Sequence, residues 1–229
     1  MNVFDIIGPI MIGPSSSHTA GAVRLGRVAN KVLNQEAPKE VMVELSGSFA
    51  KTYRGHGTDR ALLAGIMGYH SYSEEIRDIF SIADKAGITY RFVPTQIPGS
   101  HPNTARIHVK GVNIHVKGVN GTPVVVQGAS IGGGNIRVDS INGMAVDFNG
   151  EHNTILVPHY DRPGVIAEVT NIMWQKYKDV NIGNFKLSRP VKGGIAMMTI
   201  EIDGMPPEGM IEDIRTVKNV TNVFLIRSI

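Results

Sequence analysis

No cysteine occurs anywhere in the sequence. Disulfides, thiol nucleophiles and any zinc or iron-sulfur site built from this chain's own thiolates are therefore excluded. Aromatic residues are sparse at 6%, and the basic residues are scattered, so a net charge of +3 leaves no nucleic-acid footprint. No apolar run approaches the roughly 18 residues of a membrane span. The start, Met1-Asn2-Val3-Phe4-Asp5, carries an acid where a signal peptide carries basic residues, and a cytoplasmic protein is expected. A strand followed by Gly-x-Gly-x-x-Gly is also missing, which argues against a nicotinamide-binding βαβ unit. What remains is ordinary for a folded protein: 229 residues, 42% of them hydrophobic, suit one large or two small domains with a sizeable core.

Two polar clusters stand out against this background. Ser15-Ser16-Ser17-His18-Thr19 and Gly55-His56-Gly57-Thr58-Asp59 each combine small residues, hydroxyl donors and an imidazole, the side chain that titrates nearest neutral pH. The first lies between Gly-Pro pairs and an Ala/Gly/Val/Leu segment, so it reads as a loop entering a helix over Thr19–Leu33. One of Ser15, Ser16 or Ser17 would cap that helix, and the same N-terminus would favour an anionic group.

Composition changes near Glu151, which places a domain boundary at about 150 and divides the chain into 1–150 and 151–229. In the first part Val41–Leu45 and Ile88–Val93 read as strands, Asp59–Met67 as a helix, and Ser73–Ala86 as an amphipathic helix capped by Ser73. Four more strands follow at Arg106–Lys110, Pro123–Gln127, Asn135–Ser140 and Met144–Asp147. Within them Ile107-His108-Val109-Lys110-Gly111-Val112-Asn113 is repeated at once as Ile114–Asn120. The alternation makes each copy one arm of an extended hairpin, with His108 and His115 on a solvent face rather than on a metal. The second part reads as strand (Ile155–Val157), turn (Asp161-Arg162-Pro163-Gly164), helix (Val165–Tyr177), strands (Ile182–Leu187, Ile195–Ile202), helix (Pro207–Lys218) and strand (Val220–Ile226). That order, βαββαβ, predicts a ferredoxin-like split βαβ sheet, and the fold class of the whole chain is α+β. His70, His152 and His159 read as surface or turn residues.

The whole chain resembles the beta chain of the bacterial two-subunit, iron-sulfur-dependent L-serine dehydratases. The resemblance rests on Phe4-Asp5-Ile6-Ile7-Gly8-Pro9, Gly13-Pro14-Ser15-Ser16-Ser17-His18-Thr19, Gly55-His56-Gly57-Thr58-Asp59, His101-Pro102-Asn103-Thr104 and Ser130-Ile131-Gly132-Gly133-Gly134, in that order. The tail is similar to ACT domains, small modules that often bind amino acids through a turn placed like Asp161-Arg162-Pro163-Gly164. The first domain, by the same resemblance, has the fold of an allosteric substrate-binding domain found in some phosphoglycerate dehydrogenases.

The resemblance implies loss of water from L-serine to give pyruvate and ammonia without pyridoxal phosphate. A 4Fe-4S cluster held by cysteines of a partner alpha chain is expected as Lewis acid, with a monovalent cation left open as a further requirement and no metal held by this chain. It further implies that His56, Ser130, Thr58 and His18 are catalytic, that Ser16, Ser17, Thr19, His101, Asn103, Gly132 and Gly133 bind substrate, and that Asp161, Arg162, Pro163 and Gly164 hold an effector. The base is either His56 or Ser130 made more basic by its surroundings. The triple glycine is either an anion grip or a glycine bulge between strands. The expected partners are the alpha chain, L-serine and a second copy through the tail; nucleic acid and membrane are not. A reading of another class stays open, a non-catalytic amino-acid-binding regulator, which would bind serine tightly without an alpha chain.

Overall fold

The computed structural model describes residues 9–33, 36–111 and 123–228. Met1–Gly8 and the second repeat copy, Ile114–Asn120, lie outside the described residues. The fold is α+β, with two sheets and helices interspersed among the strands. The chain divides between Asn142 and Gly143 into two compact units.

The first unit carries α1 (Gly21–Val32), β1 (Pro38–Ser46), α2 (Ser48–His56), α3 (Thr58–Ile66), α4 (Ile79–Lys85), β2 (Thr89–Thr95), β3 (Thr104–Gly111), β4 (Val124–Gly132) and β5 (Asn135–Ile141). Its strands stand in the order β2-β1-β3-β4-β5, with β1 and β2 parallel and the other pairs antiparallel. Alternation sorts the two faces, because successive side chains point to opposite sides. Val41, Val43, Leu45, Ile107, Val109 and Val126 are buried. The other face is polar: Glu44 accepts from His108 Nε2 at 2.9 Å and from Arg106 Nη1 at 3.3 Å. His108, from the first repeat copy, is thus a paired sheet-face residue, directly opposite Met42 and Val125.

Helix α1 buries nearly everything except a stripe of Arg24, Arg27 and Lys31. Helices α1 and α3 cross closely because both present glycine at the contact: a Cβ on Gly26 would strike the Leu62 carbonyl, and one on Gly65 the Val23 carbonyl. The predicted helix at Ser73–Ala86 is in fact two pieces, a 3₁₀ turn over Glu74–Asp78 and then α4. Ser73 does not cap it, since its Oγ accepts from His70 N at 3.1 Å instead.

The second unit carries β6 (Met144–Phe148), β7 (Asn153–Tyr160), α5 (Val165–Lys176), β8 (Ile182–Ser188), β9 (Ile195–Ile202), α6 (Met210–Arg215) and β10 (Phe224–Ile226). From β7 onward the order is βαββαβ, and the sheet order β10-β7-β9-β8 is that of the split βαβ fold. Its core gathers Ile155, Val157, Val169, Met173, Met198, Ile200, Met210 and Ile214. His159 sits on the inner strand β7 and is only 2% exposed, a correction to its reading as a surface residue. Its Nδ1 donates to the Val157 carbonyl at 2.9 Å, so the buried ring has a partner.

Candidate functional site

The site is built around His18. Ser15 is extended and its Oγ accepts from His18 N at 3.3 Å, so Ser15 is the cap of this helical run. The run starts as a π-helical turn, Ser16–Ala20, and continues directly into α1. The wider turn at Ser16–Ala20 places His18 inward, 8% exposed.

The hydroxyls around the ring fix its tautomer. Thr52 Oγ1 donates its one proton to the Ser48 carbonyl at 2.8 Å, so toward His18 Nε2, 3.2 Å away, it acts as acceptor. Nε2 therefore carries the hydrogen. Nδ1 is left to accept from Ser17 Oγ at 3.1 Å, with Ser15 Oγ 3.3 Å behind Ser17. Burial, and then the charge of neighbouring His56, lower the His18 pKa, which keeps the imidazole neutral.

His56 meets that ring edge-on, with centroids 4.6 Å apart, and Phe49 also meets the His18 ring, at 5.2 Å. Unlike His18, His56 is exposed. It closes α2, and Gly57 turns the chain in the left-handed region (φ 68°) before Thr58 opens α3. Only glycine takes that conformation without strain. His56 thereby lies on the wall of a cleft of about 490 Å³, with Thr19, Gly13, Pro14, Gly57, Arg54, Arg60 and Arg77. Asp59 is buried below it, its carboxyl pushed up by burial against the downward pull of the Arg60 N–H and the Arg60 and Arg54 charges.

The remaining predicted residues form a second group. Asn103 brackets Ser130, its carbonyl accepting from Ser130 N at 3.0 Å and its Nδ2 donating to Ser130 O at 3.4 Å. His101 Nδ1 accepts from Asn103 N at 3.1 Å, which stiffens the turn. Between them the Pro102 carbonyl accepts from Ser48 N at 2.7 Å and caps α2, the helix that carries Thr52 and His56. Ser130 is 0% exposed, packed against Gly21 in the first turn of α1. Gly132, Gly133 and Gly134 make the β4–β5 turn, all with positive φ, beside a register shift between Ser130 and Gly132. Among the described residues the hydroxyls of Thr19, Thr58, Thr104 and Ser130 are buried without a hydrogen-bond partner.

In the tail, Asp161 Oδ2 accepts from Gly193 N at 2.9 Å and from Arg189 Nη1 at 3.3 Å. The Gly193 N–H above all holds its carboxyl below the usual range. Gly164, in the left-handed region, opens α5. Among the described residues there is no group of three or more His, Asp or Glu able to hold a metal, and no helix long and apolar enough to cross a membrane.

Sequence reasoning missed Ser48, Thr52, Arg54, Arg60 and Arg77. The arginines gave no signal, being ordinary surface residues until three elements bring them to one cleft.

A family model described as serine dehydratase beta chain matches residues 2–140. The chain belongs to the serine dehydratase beta chain family. Within that family it is 39% identical to the probable L-serine dehydratase, beta chain, of Bacillus subtilis over 97% of this chain and 96% of the relative. It is 38% identical to the L-serine dehydratase, beta chain, of Peptoniphilus asaccharolyticus over 88% and 87%. A protein of Haemophilus influenzae named L-serine dehydratase is 31% identical over 69% of this chain, but over only 37% of its own length. All the residues around His18, His56 and Ser130 fall inside the serine dehydratase beta chain match, whereas Asp161–Gly164 lies outside it.

Proposed function

We propose that this chain is the beta subunit of an iron-sulfur-dependent L-serine ammonia-lyase, working with an alpha chain to convert L-serine into pyruvate and ammonia. The observation that carries the reading is 39% identity over 97% of this chain and 96% of a relative named probable L-serine dehydratase, beta chain. The Haemophilus relative supports a two-part enzyme, because a region like this chain makes up 37% of one longer L-serine dehydratase.

The chain's donors are imidazoles and hydroxyls with no thiolate, so they suit a surface that faces a 4Fe-4S cluster on the alpha chain's cysteines rather than one that holds it. When bound, that cluster supplies Lewis acidity toward the substrate hydroxyl and carboxylate. His56 is the proposed base for the α-proton. It is exposed on the cleft, while Ser130 is sealed and has neither base nor cation hydrogen-bonded to its hydroxyl. His18, neutral and locked between Ser17 and Thr52, stacks edge-on against His56 and fixes its ring. The Ser16-Ser17 turn is proposed to present donors to the substrate; the hydroxyls of Thr19 and Thr58 are as sealed as that of Ser130, and Asn103 and His101 are proposed to hold Ser130 and α2 in place.

The ferredoxin-like tail is proposed to act as an ACT domain. An amino-acid effector would meet Arg162, Pro163 and Gly164 at the N-terminus of α5, since Asp161 is engaged by its own hairpin. Its outer strand β8, exposed along most of its length, suits pairing with a second copy.

The deciding experiment is anaerobic pyruvate formation from L-serine by this chain with its alpha partner, beside the pair carrying His56→Ala. Activity that needs both chains and falls by about 10²-fold or more in the variant supports the reading. Activity of the alpha chain alone, or an unaffected variant, reduces this chain to a regulator.

A further inference from the structure

Three arginines converge on the His56 cleft from three elements: Arg54 in the last turn of α2, Arg60 in the first turn of α3, and Arg77 in the 3₁₀ turn. Among the described residues no aspartate or glutamate lines that cleft. None of the three arginines has an ion pair within 4.0 Å among the described residues. Their held contacts are with neutral groups. Arg54 Nε donates to Tyr53 Oη at 3.1 Å, with its guanidinium 5.4 Å from that ring. Arg60 Nη1 donates to the Arg77 carbonyl at 3.2 Å, with its guanidinium 5.7 Å from the Phe80 ring. Each of these two keeps further N–H groups for another acceptor.

This placement is electrostatically unfavourable in itself. A cation in the first turn of α3 opposes the helix dipole, and like charges around one cleft repel. Asp59 offsets this only in part, since it does not line the cleft and its Oδ1 accepts from the Arg60 backbone N–H at 2.8 Å. An anion between the guanidinium groups would relieve both costs, and arginine forks match a carboxylate with two parallel hydrogen bonds.

We infer that Arg54, Arg60 and Arg77 form the wall that binds the α-carboxylate of the substrate. The inference rests on the proposed dehydratase reading and extends it to residues outside the motifs. Arg54 has the leading part: it lines the same cleft as His56, so a carboxylate held there brings the adjacent α-carbon toward the proposed base. The arginines bind substrate and orient it; the proton passes to His56.

The test uses the complete two-chain enzyme with Arg54→Gln, Arg60→Gln and Arg77→Gln made singly. Loss of a charge-assisted contact raises KM for L-serine about 10-fold in Arg54→Gln, with kcat changed less than about 3-fold, and Arg54→Lys recovers part of it. The preference for L-serine over L-serinamide, which lacks the negative charge, narrows in parallel. Unchanged KM and an unchanged serine-to-serinamide ratio in all three variants overturn the inference while leaving the dehydratase reading intact. If the unmodified complex turns over no L-serine, that reading fails. The wall is then judged on the full-length chain alone by titrating sodium acetate at constant ionic strength. Movement of the Arg54 and Arg60 Nε–H resonances, lost in the glutamine variants, supports an anion wall, and their immobility overturns it.

Discussion

His18 has both ring nitrogens committed before any ligand arrives. Its Nε2–H goes to Thr52 and its Nδ1 to the Ser17 hydroxyl, while protonation would make Nδ1 a donor and oblige the Ser17 hydroxyl to turn its hydrogen away, toward Ser15 Oγ 3.3 Å off. Burial adds to the cost of the charge. The sign of the pH effect follows. The folded pKa lies below the ordinary imidazole value of 6.5, so in the window beneath 6.5 the unfolded chain binds the proton more readily and stability falls with falling pH. His18→Gln, which keeps an amide donor and acceptor but cannot titrate, is expected to flatten this dependence. The measurement is the midpoint of urea unfolding from about pH 7 to about pH 5, where His18 titrates in the unfolded chain. Parallel slopes in the two proteins would show that His18 is not held neutral. Ser130 is the opposite case: its residue type and glycine neighbours marked it from the sequence, but its burial against Gly21 is a contact between segments far apart in the chain, and no local pattern shows such a contact.

At the scale of elements, the strands and the split βαβ tail were legible because period-2 alternation and short Gly-containing turns specify them locally. Helix α2 was not. Its segment, Ser48-Phe49-Ala50-Lys51-Thr52-Tyr53-Arg54-Gly55-His56, buries only Phe49 fully and carries an internal glycine. Its N-terminus is capped by the Pro102 carbonyl, a group far away in sequence. The Gly-His-Gly-Thr motif was read as a cluster when it is a helix end, a left-handed break and a helix start. Gly57 and Gly26 separate two reasons for glycine. A Cβ on Gly57 meets nothing within 4 Å, so Gly57→Ala costs only the left-handed backbone penalty of about 1–2 kcal/mol. A Cβ on Gly26 would run into the backbone of α3, so Gly26→Ala must push two helices apart and costs about 3 kcal/mol or more. Equilibrium unfolding of both variants checks the order; equal losses would mean that the α1–α3 contact yields more easily than its geometry shows.

For the whole molecule, a missing residue type and a partnerless surface point the same way. A chain without cysteine gathers His56 and three arginines around a cleft open to solvent, with His18 buried edge-on against His56, an arrangement suited to completion by a second protein. The tail adds a second surface of a different kind. Among the described residues strand β8 pairs with β9 on one side only, and Phe185 and Leu187, two apart and therefore on one face, are 37% and 40% exposed. An exposed edge strand carrying large apolar side chains is a template for pairing, and a lysine on it is a recurring means of blocking that. Leu187→Lys is therefore expected to shift the chain from twice its 24.8 kDa mass to a single copy in light scattering at the same concentration. Because Leu187 is outside the cleft, pyruvate formation per alpha–beta pair should stay within about 3-fold of the unmodified enzyme while self-association is lost. A chain that is monomeric before substitution, or a variant that still pairs, would assign the β8 edge to some other contact, and a variant that loses both pairing and activity would make the paired tail a requirement of the catalytic assembly.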